Sequence, residues 1–327
     1  MKKYIFIATV SMELIAIFFI WKYVFKKPFF PQHNALPRLL LTFAPDATFQ
    51  YYYLFPTNID DVATAAWLPE KVTYHYNSDG LADPIDYSVK KDDGVFRIMT
   101  LGDSFVFGMW VNQHENFSEL LETRLNTTIA CSTIQKFEVL NLGAPGFDVR
   151  YIAKRYEDIG AKYHPDYLIW FVRGENIFMN TDIYREREEF YKKELQKTGA
   201  SKRYQVDMND PYAASTLSYK DYMDSLNRLS SDKKEIFLQP ELTAIRTLIQ
   251  QKTSPLLFLT LQDESQEYKR ILQHFLSADA HIAYAEIGDV DTFAPHDYHP
   301  NILGHAHIAQ IIFQLLTSGM LKSCHML

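Results

Sequence analysis

From Phe96 onward, short continuous apolar runs alternate with longer stretches whose apolar residues recur at helical spacing. The apolar runs are Phe96–Leu101, Phe137–Leu142, Tyr167–Val172, Pro255–Thr260 and His281–Glu286. Runs of this length predict strands buried on both faces, as in a parallel sheet. The stretches between them predict helices. Asn116–Leu125 follows the first strand, and Asp148 can cap a helix with Val149, Ile152, Tyr156 and Ile159 on one face. Glu241–Gln251 and Glu264–Phe275 flank the fourth strand, and Ile308, Ile311, Ile312 and Leu315 share one face of a final helix. Strands alternating with helices predict an α/β fold with a parallel sheet covered on both faces. Ligands of such sheets bind at the carboxyl ends of the strands.

Two regions break this rhythm. Residues 28–95 are rich in Pro, Tyr, Phe and Asn/Asp and hold Tyr51-Tyr52-Tyr53 and the turn-like Asn77-Ser78-Asp79-Gly80. No helical period persists there, so a linker followed by short strands and loops, packed on the main domain, is expected. Residues 178–240 form an insertion in which Arg185–Lys197 alternates in charge and predicts an exposed helix. The insertion reads equally as a wall of a pocket or as a solvated excursion.

The N-terminus has a different pattern again. Tyr4 to Trp21 is nearly unbroken apolar sequence between Lys2-Lys3 and Lys22. Its length suits a membrane span better than the core of a cleaved signal peptide, and no small-x-small cleavage site follows. Residues 1–27 therefore predict an uncleaved, single-pass signal anchor touching the membrane through residues 4–21. Glu13 opposes this, since a buried acid costs a few kcal/mol. A very short N-terminal tail usually stays inside, so the expectation is an extracytoplasmic main domain, periplasmic or at the cell surface.

Composition narrows the partners. The formal charge is −7, and no Lys/Arg stripe suggests a phosphate track, so no nucleic-acid partner is expected. With 47% apolar residues the chain can bury a sizeable core. Cys131 and Cys324 make neither a metal spacing nor a CxxC, and their number leaves open whether they pair.

Four candidate pieces fall at strand ends, all on one rim of a parallel sheet. Ser104 follows the first strand, Gly143 the second, Asn176 the third, and Asp297 and His299 precede the final helix. A serine hydroxyl is a weak nucleophile and needs an adjacent base. His299 can be that base, with Asp297 fixing its tautomer. Attack on an ester creates an oxyanion, for which the Ser104 and Gly143 backbone N–H groups and the Asn176 amide are candidate donors. Each piece alone has a blander reading: a turn for Gly-Asp-Ser and for Gly143, a capping residue for Asn176, a loop for His299. Their joint order is what argues for a site. A nucleophile elbow of the Gly-x-Ser-x-Gly kind does not fit, since Val106 stands at the second glycine position. His305 and His307 are two apart and do not share a helix face, so no metal site is expected.

These blocks, GDSF, NLGAPG, RGEN and DYHPNILGH, resemble those of the SGNH (GDSL-like) hydrolase family over roughly Val95 to Leu316, the insertion excluded. The Asn77–Leu81 lead-in also resembles bacterial membrane-associated members. The resemblance implies a three-layer α/β/α sandwich with a flavodoxin-like sheet over residues 96–320. It further implies Ser-His-Asp ester hydrolysis or acyl transfer without a cofactor, with Ser104 as nucleophile. Two departures stand out: Ile177 follows Asn176 where an acid is usual, and only Tyr298 separates Asp297 from His299 where two residues are usual. Three functions remain open at this level. They are a serine esterase acting on a lipid, glycan or small acyl ester, an O-acyltransferase acting on a cell-envelope glycan, and a non-catalytic envelope binding or assembly protein.

Overall fold

The computed structural model describes residues 41–45, 48–178, 238–251, 254–262 and 282–326, together with Thr181, Lys193, Lys269, Arg270 and Gln273. The predicted span at 4–21, almost all of the 178–240 insertion and most of the helix predicted at Glu264–Phe275 lie outside the described residues. Among the described residues no helix is long and apolar enough to cross a membrane.

An arm of short strands precedes the sheet. β1 (Thr42–Phe43) pairs with β2 (Tyr53–Leu54), and β3 (Ile59–Ala63) forms an antiparallel hairpin with β4 (Val72–Tyr76). In β4 Val72, Tyr74 and Tyr76 are buried while Thr73 is exposed, the alternation of a strand with one face on a core. The main elements follow: β5 (Val95–Leu101), α1 (Ser104–Phe107), α2 (Phe117–Thr128), β6 (Ile129–Ala130), β7 (Lys136–Asn141), α3 (Val149–Arg155), β8 (Tyr167–Phe171), α4 (Gly174–Phe178), α5 (Gln239–Gln251), β9 (Leu256–Leu261), β10 (Ile282–Ile287), α6 (Ile302–Ser318) and β11 (His325–Met326).

Five of these strands form one parallel sheet in the order β10-β9-β8-β5-β7. Both faces are apolar, which explains the unbroken hydrophobic runs. In β8, Leu168 and Trp170 enter one core, and Tyr167, Ile169 and Phe171 enter the other. The first core also takes α3, α5 and the aromatic side chains of the arm, including Tyr52, Phe55 and Tyr74. The second is closed by α2 and α6 through Phe117, Leu121, Leu125, Ile308 and Ile312. Trp170 is fully buried against Phe258, with ring centroids 5.5 Å apart. Truncating it to alanine costs roughly 3–5 kcal/mol.

This strand order places the chain reversal beside β5. The next strand in sequence, β7, lies on one side of it, and β8 lies on the other. Ligands of open parallel sheets bind at such a switch point, at the carboxyl ends of the strands. Ser104 sits there.

Cys131 and Cys324, whose pairing their number could not decide, form a disulfide. It closes a loop of 193 residues, and β6 and β11 pair antiparallel beside it. A cross-link over so long a loop stabilises by up to about 5 kcal/mol through restriction of the unfolded chain.

Candidate active site

β5 ends at Leu101, and the chain turns at Gly102-Asp103 into the four-residue helix α1, which starts with Ser104. A helix this short needs outside support. Asp103 caps its start, its Oδ1 accepting from Phe105 N at 2.9 Å. Its last carbonyls are taken by side-chain amides: Asn116 Nδ2 donates to the oxygens of Val106 and Phe107, and Asn141 Nδ2 donates to Val106 O, each at 2.9 Å. Ser104 is 8% exposed.

His299 reaches Ser104 from the loop before α6. Its Nε2 lies 2.7 Å from Ser104 Oγ, and its Nδ1 lies 2.5 Å from Asp297 Oδ1. An ionised carboxylate only accepts, so Nδ1 carries the proton and Nε2 of the neutral ring is left to accept from the serine hydroxyl. The compressed Asp-x-His spacing works because the same Oδ1 also accepts from the His299 backbone N–H at 2.8 Å. The loop itself is closed by Phe293 N donating to His299 O and by Asn301, which caps α6 through Gly304 N and donates to Thr292 O.

The two buried aspartates of the site are both held charged. Burial alone would raise the Asp297 carboxyl; its contacts with His299 and the Trp110 indole outweigh this and hold it below the usual range. Asp103 is likewise buried, yet the Arg173 guanidinium and the Asn176 amide hold it low. Arg173 donates to Asp103 Oδ2 from Nε at 3.1 Å and Nη2 at 2.5 Å, and stacks 4.0 Å over the Phe105 ring.

Asn176 comes to the same place on α4. Its Oδ1 accepts from Arg173 N, and its Nδ2 donates to Asp103 Oδ2 at 2.8 Å, with no second partner for the amide among the described residues. Gly143 lies just past the end of β7, two residues beyond Asn141. Its N–H donates to Asn141 Oδ1 at 2.9 Å. The reason this position is glycine is packing: a Cβ here would sit 2.2 Å from Phe107 N. Gly143 lets the end of β7 lie directly against α1.

Three residues later, Gly146 has a left-handed backbone, φ 75°, and its N–H has no hydrogen-bond partner among the described residues. The arm braces this loop, Tyr53 donating to Pro145 O at 2.7 Å and packing 4.5 Å from the Phe147 ring.

The structure thus brings Ser104, His299 and Asp297 into one hydrogen-bonded chain and sets Asn176 beside it through Asp103. His305 lies in the first turn of α6, fully buried, accepting from Phe117 N at 3.3 Å, and burial pushes its pKa down to about 3. Among the described residues no group of three or more His, Cys, Asp or Glu could hold a metal ion. Sequence reasoning missed Asp103 as the clamp on Arg173 and Asn176, although it lies inside the Gly-Asp-Ser block. It also missed Trp110, whose Nε1 donates to Asp297 Oδ2 at 3.0 Å across 187 residues.

No protein-family model matches the chain, and no curated protein matches it. Solved structures with some likeness include a protein described as of the lipolytic G-D-S-L family from Desulfitobacterium hafniense DCB-2. It is 12% identical, with a TM-score of 0.38, covering 67% of this chain and 99% of that one. Another is a catalytic mutant of Axe2, an acetylxylan esterase from Geobacillus stearothermophilus, 15% identical, with a TM-score of 0.38, covering 70% and 97%. A third is described as a GDSL-like lipase from Bacteroides uniformis ATCC 8492, 13% identical, with a TM-score of 0.38, covering 69% and 97%.

Proposed function

We propose that the protein is a serine hydrolase that cleaves carboxylic esters through an acyl-enzyme. The observation that carries this reading is the contact chain from Ser104 Oγ to His299 Nε2 at 2.7 Å and from His299 Nδ1 to Asp297 at 2.5 Å. Ser104 Oγ gives its proton to His299 Nε2 and attacks the ester carbonyl carbon. The tetrahedral intermediate collapses, and the leaving alkoxide takes the proton from Nε2. Water then repeats the sequence on the acyl-enzyme, freeing the acid and restoring Ser104. Asp297 stays ionised and stabilises the imidazolium.

Three donors are proposed for the oxyanion: the Ser104 and Gly143 backbone N–H groups and the second amide hydrogen of Asn176. Removing one donor of this kind costs roughly 10²–10³-fold in turnover. No step in this scheme uses a cofactor.

The full chain should release p-nitrophenol from a short-chain p-nitrophenyl ester, and Ser104→Ala should abolish the release. Wild-type turnover in that variant would remove Ser104 from the reaction. The Cys131–Cys324 disulfide supports an extracytoplasmic location, because such bonds persist in oxidising compartments. A C-terminal reporter active on one side of the membrane tests that placement and the proposed anchor at residues 4–21 together.

A further inference from the structure

Asp297 makes all its contacts with His299 through one oxygen. Oδ1 accepts from the His299 backbone N–H and faces Nδ1. On a one-residue spacing this arrangement lets the carboxyl pivot unless its other oxygen is fixed. That oxygen, Oδ2, accepts from the indole Nε1 of Trp110 at 3.0 Å.

Trp110 is an unusual residue to find there. Its backbone is left-handed, φ 71°, a region that bulky L side chains rarely occupy, and it is 3% exposed. The arm supplies what holds it. Its backbone N–H donates to Tyr74 Oη at 2.8 Å, and that hydroxyl donates in turn to Gly108 O at 3.4 Å, fixing the turn from both sides. Tyr74 is itself 1% exposed on β4. Trp67, from the loop joining β3 to β4, packs edge-on against the Trp110 ring at 5.3 Å. It also lies 5.2 Å from Phe293 and stacks 5.9 Å from His296, both on the loop that carries Asp297 and His299.

We infer that Trp110 is a positioning residue for the catalytic acid, and that the β3–β4 hairpin acts on the reaction through it. Hydrogen bonds run without a break from Tyr74 through Trp110 and Asp297 to His299 and Ser104. The inference rests on the hydrolase reading above. Under it, the indole keeps Asp297 in the plane that His299 needs and tempers the carboxylate's basicity. A tryptophan that merely filled the core would influence stability alone.

The test follows the rate at which a fluorophosphonate inactivates the full chain as pH is varied, in the wild type, Trp110→Phe and Tyr74→Phe. Trp110→Phe keeps an aromatic ring and removes the N–H. It should lower the inactivation rate about tenfold or more, the size expected for losing a hydrogen bond to a charged group. It should also move the acidic limb of the profile to higher pH, because a carboxylate without its donor favours the imidazolium more strongly. Tyr74→Phe should act in the same direction with a smaller effect, and it decides the matter if Trp110→Phe does not fold. Trp110→His, which retains a donor, should recover part of the rate.

Wild-type rates and an unchanged acidic limb in a folded Trp110→Phe or Tyr74→Phe protein overturn the inference while leaving the hydrolase reading intact. Failure of the wild type itself to react at Ser104 sinks that reading instead.

Discussion

Two clusters of carboxyls, one at the sheet rim and one between the arm and α2, behave in opposite ways. At the sheet rim, Asp103 and Asp297 are 3% exposed and both are held below the usual carboxylate range. Under the arm, Asp83 is fully buried and is pushed well above that range, first by burial and then by Glu119. Glu119 is raised to about 8, by burial and by Glu122, and Glu122 is raised as well. Burial therefore does not decide the outcome; the donors do. Asp103 meets a guanidinium, an amide and a backbone N–H, and Asp297 meets an imidazole, a backbone N–H and an indole. Among the described residues Asp83 Oδ2 and Glu119 Oε1 have no partner within hydrogen-bond geometry. The rim holds its carboxyls below the usual range, and the second cluster is pushed above it.

The contrast breaks most visibly in activity. Asp297→Asn should cut ester turnover by roughly 10³-fold or more, since the amide no longer fixes the imidazole tautomer. Asp83→Asn should leave turnover within a few-fold. Comparable losses in both would mean that the two clusters are not functionally distinct.

Next in size is Asp103→Asn, which removes the charged acceptor of Arg173 and Asn176 and should destabilise by roughly 1.5–3 kcal/mol, the size of a hydrogen bond to a charged group. Denaturant unfolding measures this directly, and a change under about 1 kcal/mol would show the Asp103–Arg173 pair to be dispensable.

The smallest effect sharpens the other side. The Glu119 carboxyl is raised on folding, so the folded state holds its proton in a window where the unfolded chain has lost it. Its contribution is fully present below the ordinary carboxylate pKa near 4.5 and is lost as pH rises through about 8. Thermal stability should therefore fall across that window, and Glu119→Gln should flatten the fall and raise the melting temperature at pH 8 by about 2 °C or more. An unchanged slope in that variant would remove Glu119 as its source.

These features were unequally legible in the sequence. β5, predicted at Phe96–Leu101 and found at Val95–Leu101, was readable because both its faces are buried and its run is unbroken. The α6 face of Ile308 and Ile312 was readable for the matching reason, a helical period. The arm gave only a compositional hint, since its tyrosines act through distant partners such as Tyr53 on Pro145 and Tyr74 on Trp110. The packing constraint at Gly143 was hidden, because a glycine needed for close approach looks the same in sequence as any other. The direction of the Asp103 shift was hidden too, because it depends on donors 70 or more residues away, Arg173 and Asn176.

The measurement that bears most directly on the whole account is mass-spectrometric mapping of the residue modified when the full chain is treated with a fluorophosphonate. The account predicts one adduct, on Ser104, formed rapidly in the wild type and lost or greatly slowed in His299→Ala. No adduct, an adduct on another serine, or equal modification of Ser104 without His299 would contradict it.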